Sequence, residues 1–432
     1  MAEFLPGALR IGEPPRAESA VDQHEPGTVL LPRVQAGGLV LAEAIMSSED
    51  IPPFDNSAMD GYAVRVADLS EGSLVLQLSS EVRAGQSAMS ALRPGTCARI
   101  MTGAPVPPGC DAVVPVEWTD GWVEAGPVAI HRLPVLGQNI RRAGRDIGAG
   151  DTVFGASTVV TPPVVGMLAA LGKREIRVVR RPTISVVATG DELVGDGEAL
   201  KAGQIRNSNG PGLVAQSVYA GGEVVLEDVA RDDADSVRAA IRRGLAADIL
   251  LVAGGVSVGL HDHVRAVLES EGIEILFRGV RQRPGKPLVF GRAPRCAVFG
   301  LPGNPVSSAV CFEQYVRPAI RRFLGYPDER GLRDAVLEED VVKRPGLHYF
   351  SRGVVRAGPG NTLTVALAGE QGSNIYSSMV RSNCIVHLPE GRDSFGRGEV
   401  VSIEPYAWTH GAGGPHLWPS GGGGHAWSTT FS

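Results

Sequence analysis

The acids of this chain that fall beside glycine-hinged loops are the residues best placed for chemistry. Asp191 and Glu192 follow Thr189-Gly190, Asp232 follows a strand-like run, and Asp262 closes Gly254-Gly255-Val256-Ser257-Val258-Gly259-Leu260-His261-Asp262. Glycines at 190, 254, 255, 259, 300 and 303 let a bulky anion approach the backbone. Acids beside such a cradle repel the anion unless a hard cation such as Mg²⁺ bridges the two, so the pattern points to metal-assisted chemistry on an anionic substrate. An N-cap also explains Asp232 in full. Arg283 and Lys286, in Arg283-Pro284-Gly285-Lys286-Pro287, are stiffened by prolines and suit a phosphate or an oxyanion. An exposed turn with ordinary cations is the plainer alternative. His261 and His263 are two residues apart and do not share a helix face, which argues against a two-histidine zinc site. No Ser/His/Asp or Cys/His arrangement indicates covalent catalysis.

The element that presents these loops is a βαβ series from Arg181 to Tyr326. The expected strands are 183–188, 223–229, 247–253 and 296–299. The expected helices start at Asn207-Ser208-Asn209-Gly210, at Asp232 as cap, at His263, and after Gly300-Leu301-Pro302-Gly303-Asn304-Pro305, the last running to Leu324. Right-handed crossovers bring the loops to one edge of a parallel sheet, so loops distant in sequence meet in one crevice.

The flanking regions read as β. Short alternating runs over 74–135 indicate an all-β module. Within it, Thr102 heads a proline-stiffened turn, Thr102–Gly109, and carries a free hydroxyl. Before it, Ile51-Pro52-Pro53-Phe54-Asp55-Asn56-Ser57-Ala58-Met59-Asp60-Gly61 crowds short polar side chains into six residues. That loop is either a capped turn or a device holding Asp60 toward a polar ligand. Pro162–Leu171 is expected as a helix with Gly172 beyond its end. Strands are expected at 336–342, 349–356, 362–366, 384–388 and 400–403. The resulting division is a loose segment at 1–27, a discontinuous first domain at 28–50 and 139–180, an inserted β-rich domain at 51–138, an α/β domain at 181–327, a β-barrel domain at 328–405, and a glycine-rich tail at 406–432 expected to be disordered.

Composition narrows the function classes. A formal charge of −6 argues against a nucleic-acid surface as the main business. Five scattered cysteines with no CxxC pair read as buried thiols of a reducing compartment. No apolar run reaches the roughly 18 residues of a membrane span, so a cytoplasmic protein is expected.

The runs PPFDNSAMDGYAVR, RIMTGAPVPPGCDAVV, RRAGRDI, ATGDEL, IRNSNG, GGVSVGLHD, RPGKP and GLPGNPVS, in that order, closely resemble the molybdopterin molybdenumtransferase family, the MoeA and gephyrin E-domain group. The resemblance covers about residues 28–405. It implies a multidomain α/β plus β protein: a central parallel, three-layer α/β molybdopterin-binding domain with β-rich domains either side, in a symmetric homodimer. The reaction it implies is insertion of molybdate into adenylated molybdopterin, with Mg²⁺-assisted cleavage of the adenylate and release of AMP and molybdenum cofactor. Carried over by motif, Asp60, Asp146, Glu192, Asp232 and Asp262 are the catalytic acids, with Asp60, Glu192 and Asp262 as metal ligands. Substrate contacts are expected from Thr102, Gly190, Asp191, Ser208, Gly254, Gly255, Ser257, Arg283, Lys286, Pro302, Gly303, Asn304 and Pro305. Arg352 and Ser373 are expected to come from the C-terminal domain. Transient partners are implied in the molybdopterin adenylyltransferase and the cofactor-accepting enzymes. Two departures stand out: the region before Thr28 is shorter than in family members, and Arg283 stands where some members carry lysine. The α/β segment alone also resembles nucleotide-processing proteins related to competence and damage-inducible factors, and the 51–138 and 328–405 regions count against that reading.

Overall fold

The structure is a computed structural model and describes residues 27–71, 74–85, 90–256, 263–326, 331–406 and 408. The chain divides into two compact units, Val29–Val178 and the remainder. In the first unit, Thr28–Pro32 pairs with Glu175–Val179, Ile45–Met46 with Thr152–Phe154, and Asn56–Ser57 with Ile140–Arg141. Between them lies a five-stranded sheet in the order Ala112–Pro115, Gly61–Val64, Thr96–Ile100, Val75–Val82, Pro127–Ala129. Its second strand, Gly61–Val64, is buried on both faces. Tyr62 and Val64 pack into one apolar cluster with Leu76, Val114 and Val128, and Ala63 into another with Val82, Ile100 and Val113. The expected helix spans Pro162–Ala170, and Gly172 follows in the left-handed region, φ +70°.

The second unit carries the α/β sheet. Its strands are β1 (Thr183–Thr189), β2 (Glu223–Ala230), β3 (Ile249–Ala253), β4 (Glu274–Arg278), β5 (Val289–Ala293) and β6 (Cys296–Leu301), in the spatial order β2-β1-β3-β6-β5-β4. β2, β1, β3 and β6 are parallel. β5 and β4 run antiparallel, because they descend from a hairpin too short to hold a crossover helix. The sheet is thus parallel over the part that presents the loops and mixed at one edge.

Strand β1 is buried almost throughout, as expected where helices cover both faces. Each fully buried Val or Ile there contributes about 1.5–3 kcal/mol. The helices are α1 (Asn209–Tyr219), α2 (Ala234–Gly244), α3 (His263–Ser270) and α4 (Pro305–Cys311). On one face, Val187, Leu250, Val252 and Val298 pack against Val237 and Ile241 of α2 and Val264 and Leu268 of α3. Helix α1 packs on α4, where buried Gln216 donates to the Ala309 carbonyl at 3.3 Å.

Two helix expectations need correction. The cap of α2 is Asp233, which accepts from the N–H groups of Asp235 and Ser236. Asp232 is not the cap. The helix expected from Pro305 to Leu324 is interrupted: α4 passes into a π-turn at Phe312–Val316 before α5 (Arg317–Phe323). Such i→i+5 turns are rare and insert a residue that re-aims side chains. Here the turn points Glu313 and Gln314 into the interior, both nearly fully buried. Glu313 accepts from Gln216 and pairs with Arg317, while Gln314 donates to Glu404 of the C-terminal strand Val400–Pro405.

The C-terminal strands form a second six-stranded sheet, in which Gln282–Arg283 pairs with His348–Ala357. The single strand expected at 336–342 is two strands, Arg333–Leu337 and Val341–Val342. A short helix, Ser377–Arg381, lies where no helix was expected.

Candidate active site

The loops after β1, β2, β3 and β6 enclose a cleft of about 720 Å³. Its floor is Gly254 and Gly255, both with positive φ (+106° and +61°). A Cβ on Gly254 would fall 2.8 Å from the Thr189 carbonyl oxygen, and one on Gly255 2.5 Å from Val264. These two glycines are therefore fixed by conformation and by packing of the loop on its own domain. Gly300 plays a similar packing part inside β6, where a Cβ would meet Val256 at 2.8 Å.

Glu192 and Asp232 line the cleft, as do Ser208, Pro302, Gly303, Asn304 and Pro305. Asp191 and Asp232 lock two loops together: Asp191 Oδ1 accepts the Asp232 N–H at 3.2 Å, and Asp232 Oδ2 accepts the Asp191 N–H at 3.4 Å. Because Asp233 performs the capping, Asp232 is available to the cleft. Thr189, Asn207 and Asn209 also line it, and sequence reading passed over all three as site residues. The Thr189 hydroxyl is buried, with no hydrogen-bond partner among the described residues. Gly190 has φ +155°, and a Cβ there would crowd the Glu192 carboxylate at 2.7 Å. Ser257, Gly259 and Asp262 lie outside the described residues.

A second cavity, about 390 Å³, is walled by Arg283, Lys343, Arg344 and Arg352 with Tyr349, Ser351 and Gln371, and no carboxylate appears among its described lining residues. Arg283 lies 5.4 Å over the Tyr349 ring and donates to its hydroxyl at 3.3 Å. Lys343 lies 5.2 Å from the same ring. Arg352 is 1% exposed, and burial lowers its pKa to about 10. Its guanidinium donates to Ser378 Oγ and to the carbonyls of Glu370 and Gly372. A buried guanidinium whose partners are all neutral holds uncompensated positive charge beside the cavity, which favours an anion there. The motif-based expectation found Arg283 and Arg352. Lys343 and Arg344 were missed, since they sit in the irregular segment after the strand Val341–Val342, with no glycine loop to flag them.

Lys286 is half-buried, and its neighbour Pro287 lines the first cleft. The Ser373 carbonyl accepts the Val306 N–H of α4 at 3.3 Å, tying the C-terminal loop to the helix that starts at the cleft. In the first unit, Asp60 Oδ1 accepts both the N–H and the hydroxyl of Thr102, at 2.6 and 2.8 Å. The Thr102 hydroxyl is thus engaged and not free. These two bonds, the backbone one first, hold the Asp60 carboxyl below its ordinary pKa, so it stays ionised. Asp146 is exposed, with its N–H bonded to Ile51.

Among the described residues no group of three or more His, Cys, Asp or Glu forms a ready metal cage. Mg²⁺ is commonly held by one or two carboxylates together with waters and substrate phosphates. Glu192 and Asp232 on one cleft therefore fit a cation that shares its coordination with a bound phosphate.

Three family profiles match in succession: MoeA N-terminal region (domain I and II) over residues 14–172, probable molybdopterin binding domain over 185–322, and MoeA C-terminal region (domain IV) over 334–406. The chain is 39% identical over 375 residues to molybdopterin molybdenumtransferase 2 of Mycobacterium tuberculosis, covering 84% of this chain and 91% of that protein. The chain belongs to the molybdopterin molybdenumtransferase family. It is accordingly a transferase of molybdenum cofactor biosynthesis. The Haemophilus influenzae molybdopterin molybdenumtransferase is 37% identical over 377 residues, covering 86% of this chain and 92% of its own. A solved MoeA protein from Pyrococcus horikosii superposes with a TM-score of 0.79 at 30% identity, over 92% of this chain and 99% of that one.

Proposed function

We propose that this molybdenumtransferase binds adenylated molybdopterin in the α/β cleft, inserts molybdate into the dithiolene, and cleaves the adenylate in a Mg²⁺-assisted step that releases AMP. The observation that carries this reading is the pairing of an acid-bearing cleft with a separate cavity whose charged lining residues are all cations. Glu192 and Asp232 would hold the Mg²⁺, with Asp191 fixing the backbone on which Asp232 sits. When bound, the cation neutralises phosphate charge and polarises the phosphorus–oxygen bond. The chain's own residues do the rest. The loop backbone at Gly254, Gly255 and Gly303 receives the phosphate. Arg283, Arg352 and Lys286, with Lys343 and Arg344, hold the tetrahedral oxyanion. Asp60, Asp146 and Asp262 complete the acidic set, and Thr102 fixes Asp60 in its ionised form.

We read the chain as a homodimer. Val218 and Tyr219 of α1 and Val225 and Val229 of β2 are exposed along an edge strand that pairs with only one described neighbour. Apolar edges of this kind are ordinarily covered. The six-part division of the chain set out above, from the 1–27 segment to the 406–432 tail, a cytoplasmic setting, and transient contact with the adenylyltransferase and cofactor-accepting enzymes belong to the same reading. No helix among the described residues is long and apolar enough to cross a membrane. Purified protein given adenylated molybdopterin, Mg²⁺ and molybdate should release AMP and form active cofactor. A folded, intact protein that releases neither overturns the proposal.

A further inference from the structure

The cleft is chemically divided. Its carboxylates, Glu192 and Asp232, follow β1 and β2, whereas the part beside the starts of α1 and α4 is lined by Asn207, Ser208, Asn209, Asn304 and Asn374. Arg206 also lines the cleft, and its guanidinium donates to the carbonyls of Gly195 and Glu198. Two of the four amides are already committed: Asn207 Oδ1 accepts the Gly210 N–H, and Asn209 Nδ2 donates to the Gly303 carbonyl. Asn304 makes no side-chain cap bond to α4, and neither its amide nor that of Asn374 has a hydrogen-bond partner among the described residues.

Asn374 comes from the C-terminal β domain, and its loop is tied down on both sides. Arg352 holds the carbonyls of Glu370 and Gly372, at 3.3 and 3.1 Å, and exchanges bonds with Gln371. Ser373 accepts from Val306 of α4. Tyr376 places its hydroxyl 3.1 Å from where a Cβ of Gly212 on α1 would stand. An exposed amide with no protein partner, delivered on a pinned loop, is preorganised to exchange water for a ligand, since little ordering cost remains at binding. A primary amide offers a coplanar acceptor and donor, which match the edge of a nitrogen heterocycle. An oxyanion uses only its donor and a hard cation only its carbonyl, whereas a heterocycle edge uses both at once.

Resting on the function proposed above, we propose that Asn374, with the neighbouring lining amide Asn304, hydrogen-bonds the edge of a planar nitrogen heterocycle of the substrate at the end of the cleft that carries no carboxylate. The C-terminal domain thereby reads the substrate directly and does more than brace the α/β domain. Adenylated molybdopterin contains two such rings, a pterin and an adenine, so the test has two arms.

Full-length wild type, Asn374→Ala and Asn374→Asp are titrated calorimetrically with molybdopterin and, separately, with AMP. Alanine should weaken one of the two about tenfold, the loss of roughly two neutral hydrogen bonds. Aspartate should weaken the same ligand at least as much, because the donor is gone, and the thermal midpoint should not move in either variant. The arm that weakens names the ring. Unchanged affinities for both ligands in the alanine variant, with wild type turning over adenylated molybdopterin, overturn the assignment of Asn374 and leave the proposed function standing. Tighter binding by the aspartate variant in the presence of Mg²⁺ also overturns it, since Asn374 would then be a metal position. A wild type that binds neither ligand overturns both.

Discussion

The two cavities of the second unit are built from opposite materials. The α/β cleft is made of loops, its acids are solvent-facing, and its shape is set by glycine conformation and by loops exchanging backbone bonds, as between Asp191 and Asp232. The cationic cavity is made largely of strand residues and their turns, and its charge is partly buried: Arg352 and Lys343 are 1% and 6% exposed. The difference teaches where each charge is maintained. An exposed carboxylate costs the fold little and can exchange a cation freely. A buried guanidinium is costly to desolvate and is kept only where surrounding carbonyls hold it, so it offers an anion a charge that water does not screen. Substitutions in the cleft should therefore change chemistry without stability, and those in the cationic cavity should change both.

The largest effect is expected at Asp232. Asp232→Asn should lower turnover by roughly 10²–10³-fold, the scale of removing one preorganised electrostatic group, while the thermal midpoint stays within about a degree of wild type. The scan and the AMP-release assay check the two halves. A large fall in melting temperature would mean that Asp232 is a structural acid and would erase the contrast.

Arg352→Ala is the matching cut in the other cavity. It removes the donors to Ser378, Glu370 and Gly372 and leaves a void, so a destabilisation of about 2–4 kcal/mol is expected. The apparent KM for molybdate should rise as well. Arg352→Lys should recover charge without the three-way bonding, restoring part of the KM and little of the stability. Denaturant melts and molybdate titrations of both variants separate the terms.

How much of this was legible beforehand follows from the same contrast. The glycine loops and their acids could be read because a parallel strand dictates where its following loop must lie, and because Gly-Gly and Pro-Gly-Asn-Pro mark that loop in one dimension. The cap of α2 was misread by one residue: Asp232 and Asp233 are adjacent acids, and only the backbone angles decide that Asp233, at φ −116° and ψ 150°, is the cap. Thr102 was expected to be free, but its partner Asp60 lies 42 residues earlier, a pairing that no local pattern encodes. Tyr349 was invisible because an alternating strand states which side a residue faces without saying what faces it, and Lys343 and Arg344 because the irregular segment they occupy carries no periodic signal at all. The π-turn at Phe312–Val316 breaks a helix that the sequence writes as continuous, and the partner its Gln314 meets, Glu404, lies 90 residues later, where no local pattern points to it.

The neighbour of Asp232 gives a smaller effect that sharpens the first prediction. Asp233→Ala removes the bonds to Asp235 and Ser236 and should cost about 1 kcal/mol of stability, with AMP release unchanged. Adjacent carboxylates would then separate into one that serves the helix and one that serves the cleft. Equal effects of the two substitutions on turnover would merge them.

The smallest effect is expected at Lys343, where the sign matters more than the size. Burial, opposed by the Asp393 and Glu390 carboxylates, lowers its pKa below the ordinary 10.5. Between the folded and unfolded pKa values the unfolded chain binds more protons, so stability rises with pH across that window. Below it, the fold bears the full cost of a buried ammonium. Lys343→Met should therefore raise the thermal midpoint slightly at pH 7 and flatten the alkaline rise in stability expected of wild type. The same substitution should weaken oxyanion binding by about threefold, the weight of one cation among five. Opposite signs in the two measurements would mark Lys343 as a charge kept for the ligand at the expense of the fold, whereas a fall in both would make it an ordinary packing residue of the β domain.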